Sequence, residues 1–255
     1  MLIITAPAKS LTLTGEHVPV PASQPEFLAK TAELHTYLRT LDVPAIRKLM
    51  NVSEDIAVLN VERFQQWSKQ HSSSNSRPAI FTFNGDVFKA MSISEYDQAQ
   101  LEYCNKHLRI LSGFYGFLRP FDYMQPYRLE MGTNMAGGPS KSLPAYWQES
   151  ITSAFNQDLA NHKHAFVLNL ASKEYSDAID KEKLEYPMVT VTFLQERPGG
   201  TKTYGMLAKR ARGMMIDHCV RTSAKTTGDI AKFTIGGYKL IDQTEDNLTF
   251  LLQEK

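Results

Sequence analysis

The sequence predicts a mixed α/β (α+β) fold, a single compact domain spanning 1–255 with a central sheet, a basic cleft and a helix-hairpin-helix-like element. Three observations carry the fold class. The chain has 255 residues, 42% of them hydrophobic, which is enough for one sizeable core. Short β-branched apolar runs intermingle with segments of helical period, without strict alternation. No repeat, low-complexity linker or shift in composition marks a boundary.

Leu2 to Thr5 reads as a first strand, ended by Pro7. Residues 25–70 read as helices, one of them opened by Ser53 with Glu54 and Asp55 behind it, a hydroxyl cap followed by acids that suit the positive end of the helix dipole. HSSSNS at 71–76 is a loop, and Ala79 to Phe83 reads as a second strand stopped by Asn84-Gly85-Asp86. Ser94 and Asp97 have capping-box spacing. The helix they open would carry Leu101, Cys104, Leu108 and Leu111 as one stripe and stop at Gly113. Residues 114–142 hold Gly116, Pro120, Pro126 and Gly137-Gly138, which is loop chemistry over a long stretch. A helix over 144–159 precedes Phe166 to Ala171, an apolar run interrupted by Asn169 and expected of a central strand. Met188–Leu194 and Lys202–Met206 around Pro198-Gly199-Gly200 form a hairpin. A helix then runs to about Thr222, and Tyr238–Ile241 with Leu248–Leu252 form a closing hairpin.

Composition excludes several classes. The net charge of +1 gives no global pull toward nucleic acid or anionic lipid, so any such attraction must be local. Two cysteines, Cys104 and Cys219, are too few for a disulfide framework or a thiolate zinc site. The first residues lack the basic region of a signal peptide, and no apolar run approaches the roughly 20 residues that span a bilayer. A cytoplasmic protein with no membrane partner is expected. The seven histidines are scattered, and His162 and His164 have only Asp158 nearby, so neither a metal site nor a cofactor is expected.

The stretch 107–132, HLRILSGFYGFLRPFDYMQPYRLEMG, interleaves Arg109, Arg119 and Arg128 with aromatic residues that include Tyr115 and Tyr127. Guanidinium groups bind phosphate bidentately, and rings offer faces to bases. The competing reading puts the rings in the core and pairs the arginines with Asp122 and Glu130. In helix 206–222, Lys209 and Arg212 share a face. If that face points inward, both need anionic partners, supplied by a carboxylate or by a ligand phosphate. Asn169 and Ser172 stand where a strand runs into a helix start, and Lys9 follows the first strand. Their shared placement at strand ends points to one cleft, because ligands gather at the carboxyl ends of strands in open α/β sheets. Ser172 could equally be an ordinary helix cap. Leu49 to Ala57 resembles a helix-hairpin-helix in which Asn51 and Ser53 take the glycine places, an ordinary helix–helix turn being the alternative.

These residues carry a family resemblance. The 107–132 block, PAKSL at 7–11, FNGDVF at 83–88, NLASKEY at 169–175 and AKRARGMM at 208–215 make the chain similar to the YaaA family, soluble bacterial proteins of the peroxide-stress response. Ser10 stands where that family usually has Thr, and Phe88 where Tyr is common, which removes a hydroxyl. The resemblance implies a compact α/β fold with a basic cleft and a helix-hairpin-helix-like element. It also implies binding to duplex or structured DNA, and protection against hydrogen peroxide through limiting free iron.

Three functions follow. The first is a DNA-binding stress protein whose phosphate contacts are Lys9, Arg109, Tyr115, Arg119, Tyr127, Arg128, Asn169, Lys209 and Arg212 in the cleft, with Asn51 and Ser53 at the turn. The second is an enzyme acting on a nucleotide or nucleobase, a nucleotide-like ligand lying in the same cleft with Lys9, Glu130, Ser172 and Glu174 as catalytic candidates. Direct iron binding is the third, and the lack of ligand spacing argues against it.

Overall fold

The computed structural model describes residues 1–135, 137–197 and 200–253. Ten strands and ten helices are present among them: β1 (Leu2–Thr5), α1 (Leu28–Leu38), α2 (Val43–Met50), α3 (Glu54–Gln66), β2 (Arg77–Pro78), α4 (Ala79–Thr82), α5 (Asp86–Lys89), α6 (Gln98–His107), β3 (Leu108–Ser112), β4 (Gly116–Leu118), β5 (Tyr123–Met124), α7 (Leu143–Ala160), β6 (Val167–Asn169), α8 (Lys173–Ser176), β7 (Met188–Arg197), β8 (Gly200–Lys202), α9 (Gly205–Thr222), α10 (Thr227–Ala231), β9 (Tyr238–Gln243) and β10 (Asn247–Leu252). The central sheet has eight strands in the order β4-β3-β1-β6-β7-β10-β9, with β8 paired to β7. The mixed α/β class read from the sequence is the class of the structure.

Five neighbouring strands, β3-β1-β6-β7-β10, are mutually parallel. Antiparallel β4 and β9 close the two edges. Within the parallel five, the spatial order is second-first-third-fourth-fifth, one of the common orders of doubly wound sheets. The chain moves from β1 to β3 on one side, then crosses to the other side of β1 to build β6. Loops leaving β1 and β6 therefore diverge and leave a crevice at the carboxyl ends of those strands. β1, β3 and β6 are buried at every residue, as central parallel strands must be.

Several elements depart from the sequence reading. Ala79–Phe83 is not a strand: α4 occupies Ala79–Thr82, and only Arg77–Pro78 pairs with β5. The amides of Ala79 and Ile80 donate to the carbonyls of Asp122 and Pro120, so the run is buried without laddering, and a short apolar run does not reveal its period. The helix expected to reach Leu111 stops at His107, and Leu108 to Ser112 become β3. Apolar 3–4 spacing there coincides with a strand covered on both faces. Asp97, not Ser94, caps α6, in a box closed by Gln100. Gly113 follows β3 instead of ending a helix, and a Cβ on it would run into the Leu129 carbonyl. Thr203 to Met206 belong to the entry of α9, not to the hairpin, and Pro198-Gly199 lie outside the described residues. Ser53 stands at the N-cap of α3 but its side chain makes no capping bond.

Among the described residues no helix is long and apolar enough to cross a membrane.

Candidate functional site

A cleft of about 410 Å³ opens where the crevice between β1 and β6 meets α9. Its walls come from Ala6–Ser10 after β1, Asn84–Lys89 around α5, Tyr127–Glu130, Leu170–Tyr175 after β6, and Lys209 and Arg212 of α9. Close backbone approach holds the walls together. Gly213 lets α9 lie directly on α5, since a Cβ there would overlap the Val87 carbonyl. Gly113 lets the 129–130 backbone lie against the end of β3 in the same way.

Cations dominate the lining: Lys9, Lys89, Arg128, Lys209 and Arg212 against Asp86, Glu130 and Glu174. Glu130 has both oxygens committed, one 3.0 Å from Lys9 Nζ and the other 3.3 Å from Arg128. Glu174 accepts the Gly132 amide through Oε1 at 2.9 Å, which ties the end of α8 to the 127–132 segment. Among the described residues Lys89, Lys209 and Arg212 have no ion-pair partner. Arg212 is the most exposed to this deficit, because its Nε is buried without an acceptor. Desolvation alone holds its pKa below the ordinary arginine value, with no carboxylate to offset it. Arg128 also has a buried Nε without an acceptor, and the nearby Arg63 of α3 feels Arg128 as a like charge.

Of the residues singled out in the sequence, Lys9, Tyr127, Arg128, Glu130, Ser172, Glu174, Lys209 and Arg212 line this cleft. Tyr127 is buried, with its hydroxyl 2.6 Å from Ser112 Oγ. Ser172 occupies the N-cap of α8 without a capping bond, leaving its hydroxyl on the cleft wall. Asn169 lies elsewhere: it lines a neighbouring cavity of about 360 Å³. Its Oδ1 accepts the Ala171 amide at 3.0 Å and its Nδ2 reaches Thr190 Oγ1 at 3.4 Å.

Two of the expected phosphate contacts are corrected by burial. Tyr115 is fully buried, and its hydroxyl receives the Trp67 indole N–H and the Gln125 amide, both at 3.1 Å. Arg109 is 4% exposed, bound to Asp158 at 2.7 Å and to three backbone carbonyls. A β3 residue facing the interior needs such a full set of acceptors, so this guanidinium has nothing left for DNA. Arg119 is spent on Glu26 at 2.6 Å, outside the cleft. Asn51 and Ser53 sit exposed at the turn between α2 and α3, with Asn51 in the left-handed region at φ 51° and ψ 58°. The amides of Asn51 and Val52 both donate to the Arg47 carbonyl, and Glu54 and Asp55 follow at once. Spent donors and two carboxylates make this turn a poor seat for phosphate.

Sequence reasoning passed over Asp86 and Lys89 as site residues. The Asn84-Gly85-Asp86 turn was visible, but read as the end of a strand it gave no reason to place Lys89 beside Arg212. Thr190, Thr192 and Thr203 were also missed, since threonine in a strand is ordinary β-sheet composition.

Fold and cleft together define an α/β protein with a cation-rich crevice at the switch point of a largely parallel sheet. Residues 1–244 match the family described as peroxide stress protein YaaA. A UPF0246 protein of Legionella pneumophila (strain Philadelphia 1) is 39% identical over 239 residues, covering 93% of both chains. A UPF0246 protein of Janthinobacterium sp. (strain Marseille) is 38% identical over 256 residues, covering 100% of this chain and 99% of its own. One from Aliivibrio fischeri (strain MJ11) is 37% identical over 260 residues, with the same coverage. The chain belongs to the YaaA peroxide stress protein family.

Proposed function

We propose that the chain is a cytoplasmic peroxide-stress protein that binds DNA through this cleft and helps limit iron-dependent oxidative damage. The family supports the stress role. The observation that supports the DNA reading is the uncompensated charge of Lys209 and Arg212, above all the Arg212 Nε buried without an acceptor. A half-buried guanidinium whose Nε is buried without an acceptor is costly, and a phosphate is the anion that DNA supplies. Fluorescence anisotropy with labelled duplex and bulged DNA across a salt series tests it. Affinity should fall steeply with salt, as neutralised phosphates release counterions, and should collapse in a Lys209→Ala/Arg212→Ala variant. Binding that survives in the variant refutes the cleft as the DNA site, and no binding at any salt refutes DNA binding altogether.

A second reading rests on Glu174. Glu130 has both oxygens on cations, whereas Glu174 keeps Oε2 without a partner among the described residues, facing the cleft with Lys9 and Ser172. That carboxylate could act as acid or base on a nucleotide or nucleobase held by the cations. Glu174→Gln would then abolish turnover of such a substrate while leaving its binding intact. Equal turnover in both proteins excludes the role.

A further inference from the structure

Arg212 lines two cavities, not one. On one side is the cation-rich cleft; on the other is the cavity of about 360 Å³ bounded by Asn169, Thr190, Thr192, Thr203 and Ala208. Ala208 and Arg212 lie one helical turn apart on α9, and Thr190 and Thr192 lie two apart on β7, so each pair presents one face.

The second cavity has a different chemistry. Thr192 donates its hydroxyl proton to Asn247 Oδ1 at 2.9 Å, and Thr203 donates its own to the Phe193 carbonyl at 3.2 Å. Both oxygens keep lone pairs for a ligand donor. Thr190 Oγ1 accepts from Asn169 and keeps its proton to give. This wall therefore suits neutral groups that both donate and accept, such as sugar hydroxyls and base amines. It offers a phosphate only the Thr190 hydroxyl proton, because Thr192 and Thr203 would meet the anion with their lone pairs. Of the lysines at its rim, Lys173 is committed to Asp177 at 2.8 Å, and Lys181 is solvent-exposed with no ion pair among the described residues, so it adds one solvated charge at the edge and none on the threonine wall. The phosphate belongs on the cleft side, where Lys209, Lys89 and Arg212 have no ion-pair partner among the described residues.

We propose that the two cavities are halves of one bipartite site for a nucleoside monophosphate unit, with Arg212 at the seam, its phosphate on the cleft side and its hydroxyl-bearing part among Thr190, Thr192 and Thr203. The proposal rests on the reading of the cleft as a phosphate site, and it names what is attached to that phosphate. A unit of this kind comes either from a free nucleotide or from a strand.

Isothermal titration of the full chain with inorganic phosphate, with deoxythymidine and deoxyadenosine 5′-monophosphates, and with a short oligothymidine tests it. A mononucleotide should bind at least about tenfold tighter than inorganic phosphate, the worth of one or two well-made neutral hydrogen bonds. A Thr190→Val/Thr192→Val variant should lose that advantage and keep its phosphate affinity, while Thr190→Ser/Thr192→Ser restores it. The serine pair guards against misfolding, because it alters the side-chain shape by losing the methyl groups while keeping the hydroxyls that the valine pair lacks. Arg212→Ala should weaken phosphate and nucleotide alike. Oligothymidine that competes with the mononucleotide identifies a strand as the source; one that does not identifies a free nucleotide. A mononucleotide that binds no tighter than phosphate, or an advantage that persists in the valine variant, overturns the proposal. Duplex binding measured in parallel separates the two readings. Duplex binding with no nucleotide preference leaves the DNA reading standing and removes this one. Nucleotide preference without duplex binding does the reverse.

Discussion

Replacing Arg212 by methionine should make the unliganded protein more stable while removing its anion binding. The guanidinium sits on α9 between two cavities, with Nε buried and, among the described residues, no acceptor for it and no carboxylate within pairing distance. A buried donor left unsatisfied costs about 1–3 kcal/mol. Methionine keeps an unbranched apolar stem of similar reach, so most of the packing against α5 and β7 survives. The balance is a gain of about 1–2 kcal/mol, a rise in Tm of a few degrees for a chain of this size. Urea unfolding measures it, read only if the m-value is unchanged. Inorganic phosphate or DNA should raise the midpoint of the natural protein by mass action and leave that of Arg212→Met where it was. Such a pattern, stability traded for a binding site, is what a functional buried cation predicts. A variant destabilised by more than about 1 kcal/mol at constant m would show that the guanidinium serves the fold. The assignment of the cleft would then lose its main support.

Other substitutions test the parts around the site. Tyr115→Phe leaves the Trp67 indole N–H and the Gln125 amide buried without their acceptor, and should cost about 2–4 kcal/mol in urea unfolding with DNA affinity per folded molecule unchanged; a matching loss of affinity would return Tyr115 to the interface. Gly213→Ala gains about 1 kcal/mol of helix propensity but drives a methyl into the Val87 carbonyl, backbone that cannot swing aside. Overpacking of this kind costs about 1–3 kcal/mol, so net destabilisation with weaker phosphate binding is expected, and a stabilised variant would refute the close packing of α9 on α5. Burial lowers the pKa of His35 and His71 below 6.5, and that of His107 to about 4. The unfolded chain then binds protons that these rings refuse, so stability should fall as pH drops through 6.5 and keep falling toward about 4. Urea midpoints at neutral and mildly acidic pH that coincide would refute this.

The two central strands β1 and β6, the closing hairpin and the long helices were legible because each carries its own signal. Leu2–Thr5, Val167–Asn169 and the 238–252 hairpin are apolar runs between turn residues, and α7 and α9 are long enough to show their period. Where the reading failed, tertiary context overrode a short run. Leu108 to Leu111 became a strand because β1 was there to pair with it, and Ala79 to Thr82 coiled because its amides found carbonyls across the fold. The site was half legible for a related reason. Lys9, Ser172, Lys209 and Arg212 announced themselves by standing just after strands or on a shared helix face. Arg109 and Tyr115 have the same composition as a nucleic-acid contact, and only their burial tells them apart. Nothing in a string of letters says which face of β3 turns inward when both are covered.

The parallel pairing of β7 with β10 sets an order in time. By the time Arg212 has left the ribosome, every segment that walls the cleft has been made, from Lys9 onward. Thr192 lacks its partner until Asn247 follows, and β7 has one open edge until β10 lies along it. The segments of the crevice are thus all made before the last partner of the threonine wall. In the proposed bipartite site, the half assigned to the phosphate is complete in the chain before the half assigned to the rest of the ligand.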